Sequence, residues 1–158
     1  MGWQNHHLFE FSLEGYRTGE IDEKEKGSSF GSDQLLDCRA VKLCEIVTVP
    51  NDVITYSYDF GDGWKHRIAV EAFLPIDESL TYPVCTDGQM ACPPEDCGGI
   101  HAFYHSLEIL KDKKHPEYKE TAQWFPKKYK PEGFDPEKVN RQLARLDNYI
   151  RKWLSGSE

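Results

Sequence analysis

Tyr56-Ser57-Tyr58-Asp59-Phe60-Gly61-Asp62-Gly63-Trp64-Lys65-His66-Arg67-Ile68 decides the fold of this chain. Two alternating runs flank a Gly-Asp-Gly break, the pattern of a β-hairpin. Burial fixes the register, because a one-residue slip turns every side chain to the opposite face. A tight Asp62-Gly63 turn would set Asp59 opposite His66 and Tyr58 opposite Arg67. A Gly61-Asp62-Gly63 loop instead sets Phe60 opposite Trp64, Tyr58 opposite His66, Tyr56 opposite Ile68 and Ile54 opposite Val70. That second register gathers the large apolar groups on one face and puts Lys65, Arg67 and Glu71 on the other. It is the expected one, with Gly63 taking the positive φ of a bulge. Tyr56, Tyr58, Phe60, Trp64 and Ile68 are then the expected core face. His66 falls on that face too, where a histidine is more often a satisfied core residue than a ligand.

Upstream, Phe9, Phe11 and Leu13 alternate as in a strand. Gly15 to Gly31 is polar and reads as an exposed excursion or long hairpin loop. Gln34 to Val47 fits a short helix or a strand. The hairpin is expected to end near Leu74-Pro75, with a loop over Ile76 to Met90. Prolines and glycines in Cys92-Pro93-Pro94-Glu95-Asp96-Cys97-Gly98-Gly99 stop regular structure, and Glu95 and Asp96 suit a helix N-terminus, where the dipole favours anions. Ile100, Phe103, Tyr104, Leu107 and Leu110 follow helical spacing up to the cations at Lys111 to Lys114, and the hairpin core is expected to pack on this helix. A short element runs from His115-Pro116 to Trp124-Phe125. The last helix starts with Asp135 as cap and Pro136 in the first turn. Val139, Leu143, Leu146, Ile150, Trp153 and Leu154 form its apolar stripe. The expectation is α+β: a mainly antiparallel sheet with a central hairpin and two or three packed helices, in a single domain over residues 1–158.

The bulk properties agree. A chain of 158 residues can bury ~70% of its unfolded surface, and 13% aromatic content is high. No apolar run approaches about 18 residues, so no membrane span is expected. No basic-then-apolar leader opens the sequence, so a cytoplasmic protein is expected. Five cysteines fit reduced thiols or metal ligation better than a disulfide framework. The net charge of −8 is uneven. Residues 1–50 carry 5 basic and 9 acidic groups, residues 51–100 carry 2 and 9, and residues 101–158 carry 12 and 9. The acidic body weighs against non-specific nucleic-acid binding, which phosphate neutralisation drives. The basic C-terminal third reads first as a solvated helix face and second as a local patch.

Cys92 to Gly99 and the hairpin together resemble the plasmid pRiA4b ORF-3-like family. The matching pieces are Gly2-Trp3, His7-Leu8-Phe9-Glu10-Phe11, Tyr58 to Trp64 with His66 and Glu71, Cys92 to Gly99 with Tyr104, and Phe134-Asp135-Pro136 with Val139-Asn140. They run nearly end to end. The resemblance implies a small α+β domain of bacterial or archaeal origin, often in mobile-element contexts, with no established activity. Some relatives bear a resolvase-like name. No serine or tyrosine flanked by an arginine cluster supports carrying that name over. Family members usually have a strand and a helix before the Gly-Trp motif, where this sequence has Met1. The expectation that follows is an open edge on the Phe9–Leu13 strand. Self-association, or a strand borrowed from a protein partner, would cover it.

Two residue sets are candidates for chemistry. His66, Cys85, Cys92 and Cys97 offer three thiolates and an imidazole for tetrahedral zinc, although their spacing is wider than in zinc knuckles. Asp59, Asp62, Glu71, Glu95 and Asp96 offer carboxylates for a hard divalent cation and water activation, as in nucleases. The plainer reading is that Asp59 and Asp62 fix turn geometry while Glu95 and Asp96 cap a helix. Cys97 near a helix start, with His101 or His66, is a weaker nucleophile candidate. Phosphate-loop and dinucleotide glycine patterns are missing. The function expected is a cytoplasmic binding or interaction module. Its competitor is a metal-dependent hydrolase acting on nucleic acid, which a cleft gathering Asp59, Glu71 and Glu95 would favour.

Overall fold

The computed structural model describes residues 2–19 and 35–155, so residues 20–31 of the expected Gly15–Gly31 excursion lie outside the described residues. The chain divides into two compact units. One comprises Met1–Phe73 and Pro94–Pro126, the other Leu74–Pro93 and Lys127–Glu158.

The first unit holds the sheet. Its strands are β1 (Phe9–Leu13), β2 (Tyr16–Gly19), β3 (Leu36–Asp37), β4 (Val53–Tyr58) and β5 (Trp64–Ala69), in the spatial order β3-β2-β1-β4-β5. All neighbours are antiparallel except β2 and β3. The helices of this unit are α1 (Leu43–Ile46), α2 (Gly99–Lys111) and α3 (Tyr118–Trp124). The α+β architecture with a central hairpin is the one the sequence predicts.

The hairpin register differs from the expected one by two residues. Tyr58 pairs with Trp64, Tyr56 with His66 and Ile54 with Ile68. The chain turns early because Asp59 adopts a left-handed conformation, φ 53°. Its carboxylate Oδ1 accepts the N–H groups of Gly61 (2.9 Å) and Asp62 (3.2 Å). Aspartate tolerates that region and mimics a backbone turn in this way. Gly63, at φ 68°, closes the loop by donating its N–H to the Asp59 carbonyl at 2.6 Å. A slide of two residues keeps every side chain on its face. The apolar face is therefore the predicted one, but Phe60 moves out of the core into the loop, 59% exposed, and Ile68 is 40% exposed.

Tyr58 and Ile54 are the most deeply buried large side chains of the hairpin. Around them the rings form a ladder. Phe11 stacks on Tyr56 at 4.6 Å, Trp3 stacks on Tyr58 at 4.9 Å, and Trp3 meets Trp64 at 5.4 Å. Trp64 then reaches Phe103 of α2 edge-on at 6.4 Å, and Phe103 stacks on Phe125 at 6.3 Å. Each such pair adds about 0.5–1.5 kcal/mol beyond area burial. On the other face, Arg17 and Glu10 pair across β1 and β2.

β1 is not an edge. It pairs with β2 from Glu10 to Leu13 and with β4 from Phe9 to Ser12. The strand beginning at Tyr16, in a stretch expected to be loop, fills the position expected to be open. Gly15 at φ 74° makes the tight turn into it. Trp3 and Phe9 pack within the chain and β1 has a neighbour on each side, so the expectation of an open edge on the Phe9–Leu13 strand is corrected.

The second unit joins an irregular stretch to α4 (Pro136–Leu143) and α5 (Leu146–Ser155). Asp135 caps α4 as predicted, accepting the Lys138 N–H at 2.9 Å. The single last helix expected from the apolar stripe is broken at Ala144-Arg145. There Arg145 donates to the Gln142 carbonyl and Asn148 to that of Arg145, tighter three-residue bonds that interrupt the helical ladder. The irregular stretch is tied to α4 by Asn140, whose side chain accepts the Cys85 N–H (2.7 Å) and donates to the Cys85 carbonyl (2.9 Å). The Tyr129 hydroxyl donates to the Cys92 carbonyl at 3.1 Å, and the Phe134 ring leaves no room for a Cβ at Gly88.

Candidate functional site

Three separate segments of the first unit converge: the N-terminal stretch before β1, the Asp59–Gly63 loop and the Pro94–Gly99 loop before α2. Their ties are made largely by carboxylates. The Asp62 carboxylate accepts the Gly98 N–H at 3.0 Å. Glu95 accepts the Gln4 N–H at 2.8 Å, and its two oxygens lie 3.0 and 3.2 Å from the Tyr58 hydroxyl. Burial, reinforced by the hydrogen bond and charge of Glu95, pushes the Tyr58 phenol up to about 12. The hydroxyl also accepts the His6 N–H at 3.2 Å.

The expectation that Glu95 and Asp96 cap α2 is corrected. The N-cap is Gly98 in a left-handed conformation at φ 82°, with no side-chain cap. Asp62, from the hairpin loop, is the carboxylate that meets the helix start. Glu95 is turned back to Tyr58 because Asp96 takes φ 54° and reverses the chain.

His7, Asp59 and Asp96 form one cluster. His7 Nε2 lies 3.1 Å from Asp96 Oδ1 and 3.8 Å from Asp59 Oδ2, and the three ligand atoms lie within 4.8 Å of one another. Asp59 is buried and Asp96 exposed. The His7 ring stands edge-on to Tyr58 at 5.8 Å. Among the described residues this is the grouping of three or more potential ligands close enough to share an ion. It contains two of the sequence candidates and one residue they omitted. The omitted His7 lies inside the quoted His7-Leu8-Phe9 motif, two residues before Phe9 at the next position of the alternation, and that polar position beside an apolar run was its signal.

Among the described residues no other candidate joins that cluster. His66 is half-buried between Trp3 and Tyr56, and its Nδ1 lies 3.2 Å from the Tyr56 carbonyl, which makes Nδ1 the protonated nitrogen in that bond. Glu71 is exposed beyond β5. Cys85 and Cys92 belong to the second unit, His66 and Cys97 to the first. The Cys85 thiol donates to the Asp87 carbonyl at 3.4 Å. Cys97 and His105 line a cleft of about 320 Å³ between α2 and α3, with Asp96 at its margin and Ile109, Thr121 and Trp124 in its walls. No helix among the described residues is long and apolar enough to cross a membrane.

Comparison with known proteins follows the same convergence of motifs. Residues 1–141 match the family described as plasmid pRiA4b ORF-3-like protein. The chain is 35% identical over 125 residues to the uncharacterized protein y4hQ of Sinorhizobium fredii strain NGR234, covering 78% of this chain and 61% of that one. The chain thus spans less than two thirds of the length of y4hQ. A crystal structure of a protein of unknown function, MM3350 from Methanosarcina mazei Go1, superposes with a TM-score of 0.75 at 34% identity, covering 87% of this chain and 75% of the other.

Proposed function

This chain belongs to the plasmid pRiA4b ORF-3-like family, and from that premise we propose that it is a cytoplasmic binding module that engages a protein partner, not a hydrolase. The observation that carries the reading is the use made of the motif carboxylates. Asp59 holds its own loop, Asp62 holds the start of α2, and Glu95 holds Tyr58 and the N-terminal stretch. A hydrolytic cleft of the expected kind needs Asp59, Glu71 and Glu95 gathered on one water, whereas Glu95 is engaged by the Gln4 N–H and the Tyr58 phenol, and Asp62 by the Gly98 N–H. Glu71, the third residue a hydrolytic cleft would need, is not in the cluster.

The tie between Asp62 and Gly98 has a second effect. It joins the hairpin loop, with Phe60 59% exposed, to the first turns of α2, where Ile100 and Tyr104 are 54% and 53% exposed on one helix face. Exposed large apolar groups flanking a rigid tie suit a partner contact better than solvent.

The test is a paired one. A Phe60→Ser/Tyr104→Ser double variant should keep its melting temperature within a few degrees and lose the protein captured by the wild-type chain. Equal capture by both would refute the surface. Turnover of nucleic acid by the wild type, abolished in a folded Asp59→Asn variant, would favour the hydrolase instead.

A further inference from the structure

We infer that His7, Asp59 and Asp96 hold a borderline divalent cation of the zinc or cobalt class, with its remaining position open to solvent. This goes beyond the binding-module reading and does not depend on it. The first argument is metric. Two ligands at metal distances of about 2.1 Å and a tetrahedral angle lie about 3.4 Å apart. The two separations from His7 Nε2, 3.1 Å to Asp96 and 3.8 Å to Asp59, straddle that value, and all three ligand atoms lie within 4.8 Å of one another, a gap that rotation of the exposed Asp96 side chain can close.

The second argument is the state of Asp59. The residue is 8% exposed. Its Oδ1 is satisfied by two backbone N–H groups, at 2.9 and 3.2 Å. Its Oδ2 points at His7 Nε2 across 3.8 Å, too far for a hydrogen bond, and receives no donor among the described residues. No fully buried side-chain oxygen lacks a partner among the described residues, so Oδ2 faces solvent beside His7, where it is open to a cation. The anchoring of Oδ1 also leaves Oδ2 with a fixed aim, as outer-shell bonds do for metal ligands.

The third argument is chemical. An imidazole with two carboxylates is a zinc-type set, whereas magnesium and calcium take oxygen alone. The ligands come from three segments, so the ion would fasten the N-terminal stretch to both loops. Asp96 borders the cleft between α2 and α3, which is where a water or an exogenous donor would complete the coordination.

The test uses the full chain, prepared without affinity-metal steps and dialysed against chelator, then titrated with zinc and separately with cobalt. The expected result is one equivalent bound, with affinity at least tenfold weaker in His7→Gln and in Asp59→Asn, and unchanged in Cys85→Ser and Cys92→Ser. Cobalt should give visible ligand-field bands without thiolate charge-transfer absorption. Asp96→Asn, at an exposed side chain, serves if Asp59→Asn does not fold. Failure of the folded wild type to bind stoichiometrically overturns the site. So does wild-type affinity in the His7 and Asp96 variants. Thiolate absorption, or loss of binding in the cysteine variants, overturns it in favour of a site built from His66, Cys85, Cys92 and Cys97.

Discussion

The Asp62 carbonyl oxygen occupies the place where a Cβ on Gly99 would stand. One residue away, the Asp62 carboxylate holds the Gly98 N–H. The hairpin loop is therefore seated on bare backbone at the start of α2. Gly99 has φ 75°, so two independent reasons require glycine there.

Gly99→Ala should destabilise the protein by roughly 2–4 kcal/mol, combining left-handed strain with displacement of the loop. Urea denaturation checks this. A midpoint within error of wild type, at unchanged m-value, would mean the two loops are not in contact.

The Tyr58 phenol, raised from 10.0 to about 12, gives a pH prediction. The folded state holds this proton more tightly than the unfolded one. Its contribution is thus complete below pH 10 and is lost as pH climbs toward 12. Ultraviolet phenolate titration should show one tyrosine ionising late in the wild type. In Glu95→Gln it should ionise earlier, yet still above an exposed tyrosine, because burial remains. An unchanged titration in that variant would contradict the Tyr58–Glu95 contact.

Phe103→Ala should cost about 3–5 kcal/mol, since the ring is 4% exposed and links Trp64 to Phe125. Phe60→Ala, at an exposed loop position, should stay within about 0.5 kcal/mol. A reversal of that order would restore the register in which Phe60 faces Trp64.

Asn140→Ala removes both side-chain bonds to the Cys85 backbone. A loss of about 1–3 kcal/mol is expected. Faster hydrogen exchange in the 74–93 stretch, with the sheet unaffected, is the local signature.

Amide exchange also tests the sheet order. β1, paired on both sides, should exchange more slowly than β5, which among the described residues pairs with β4 alone. Fast exchange from Phe9 to Leu13 would argue for the open edge after all.

Alternation in Phe9-Phe11-Leu13 and in Tyr56-Tyr58 made the strands and their faces legible, and the spacing of Phe103, Leu107 and Leu110 did the same for α2. The register was not legible because it depends on the Asp59 carboxylate folding back on its own loop, a contact with no periodicity. β2 was hidden because Arg17-Thr18-Gly19 shows no apolar alternation of its own, although Tyr16 and Thr18 stand opposite Leu13 and Phe11 of β1. Of the candidate cluster, Asp59 and Asp96 could be picked out by type and motif. His7 could not be joined to them, because nothing local brings residue 7 to residue 96; only the sheet order and the reversal at Asp96 do so.

Each compact unit is assembled from two stretches that alternate along the chain. During synthesis, Leu74–Pro93 leaves the ribosome before its partner stretch beginning at Lys127 exists. The 33 intervening residues, Pro94 to Pro126, take roughly 2–7 s to make at ordinary elongation rates. Through that interval Cys85, Gly88 and Cys92 lack the Asn140, Phe134 and Tyr129 side chains that hold them, while the aromatic ladder of β1, β4 and β5 can already close. Nascent chains stalled in this window should be the ones that chaperones and proteases find, and a nonsense mutation near residue 126 should yield a folded sheet carrying a degradable loop.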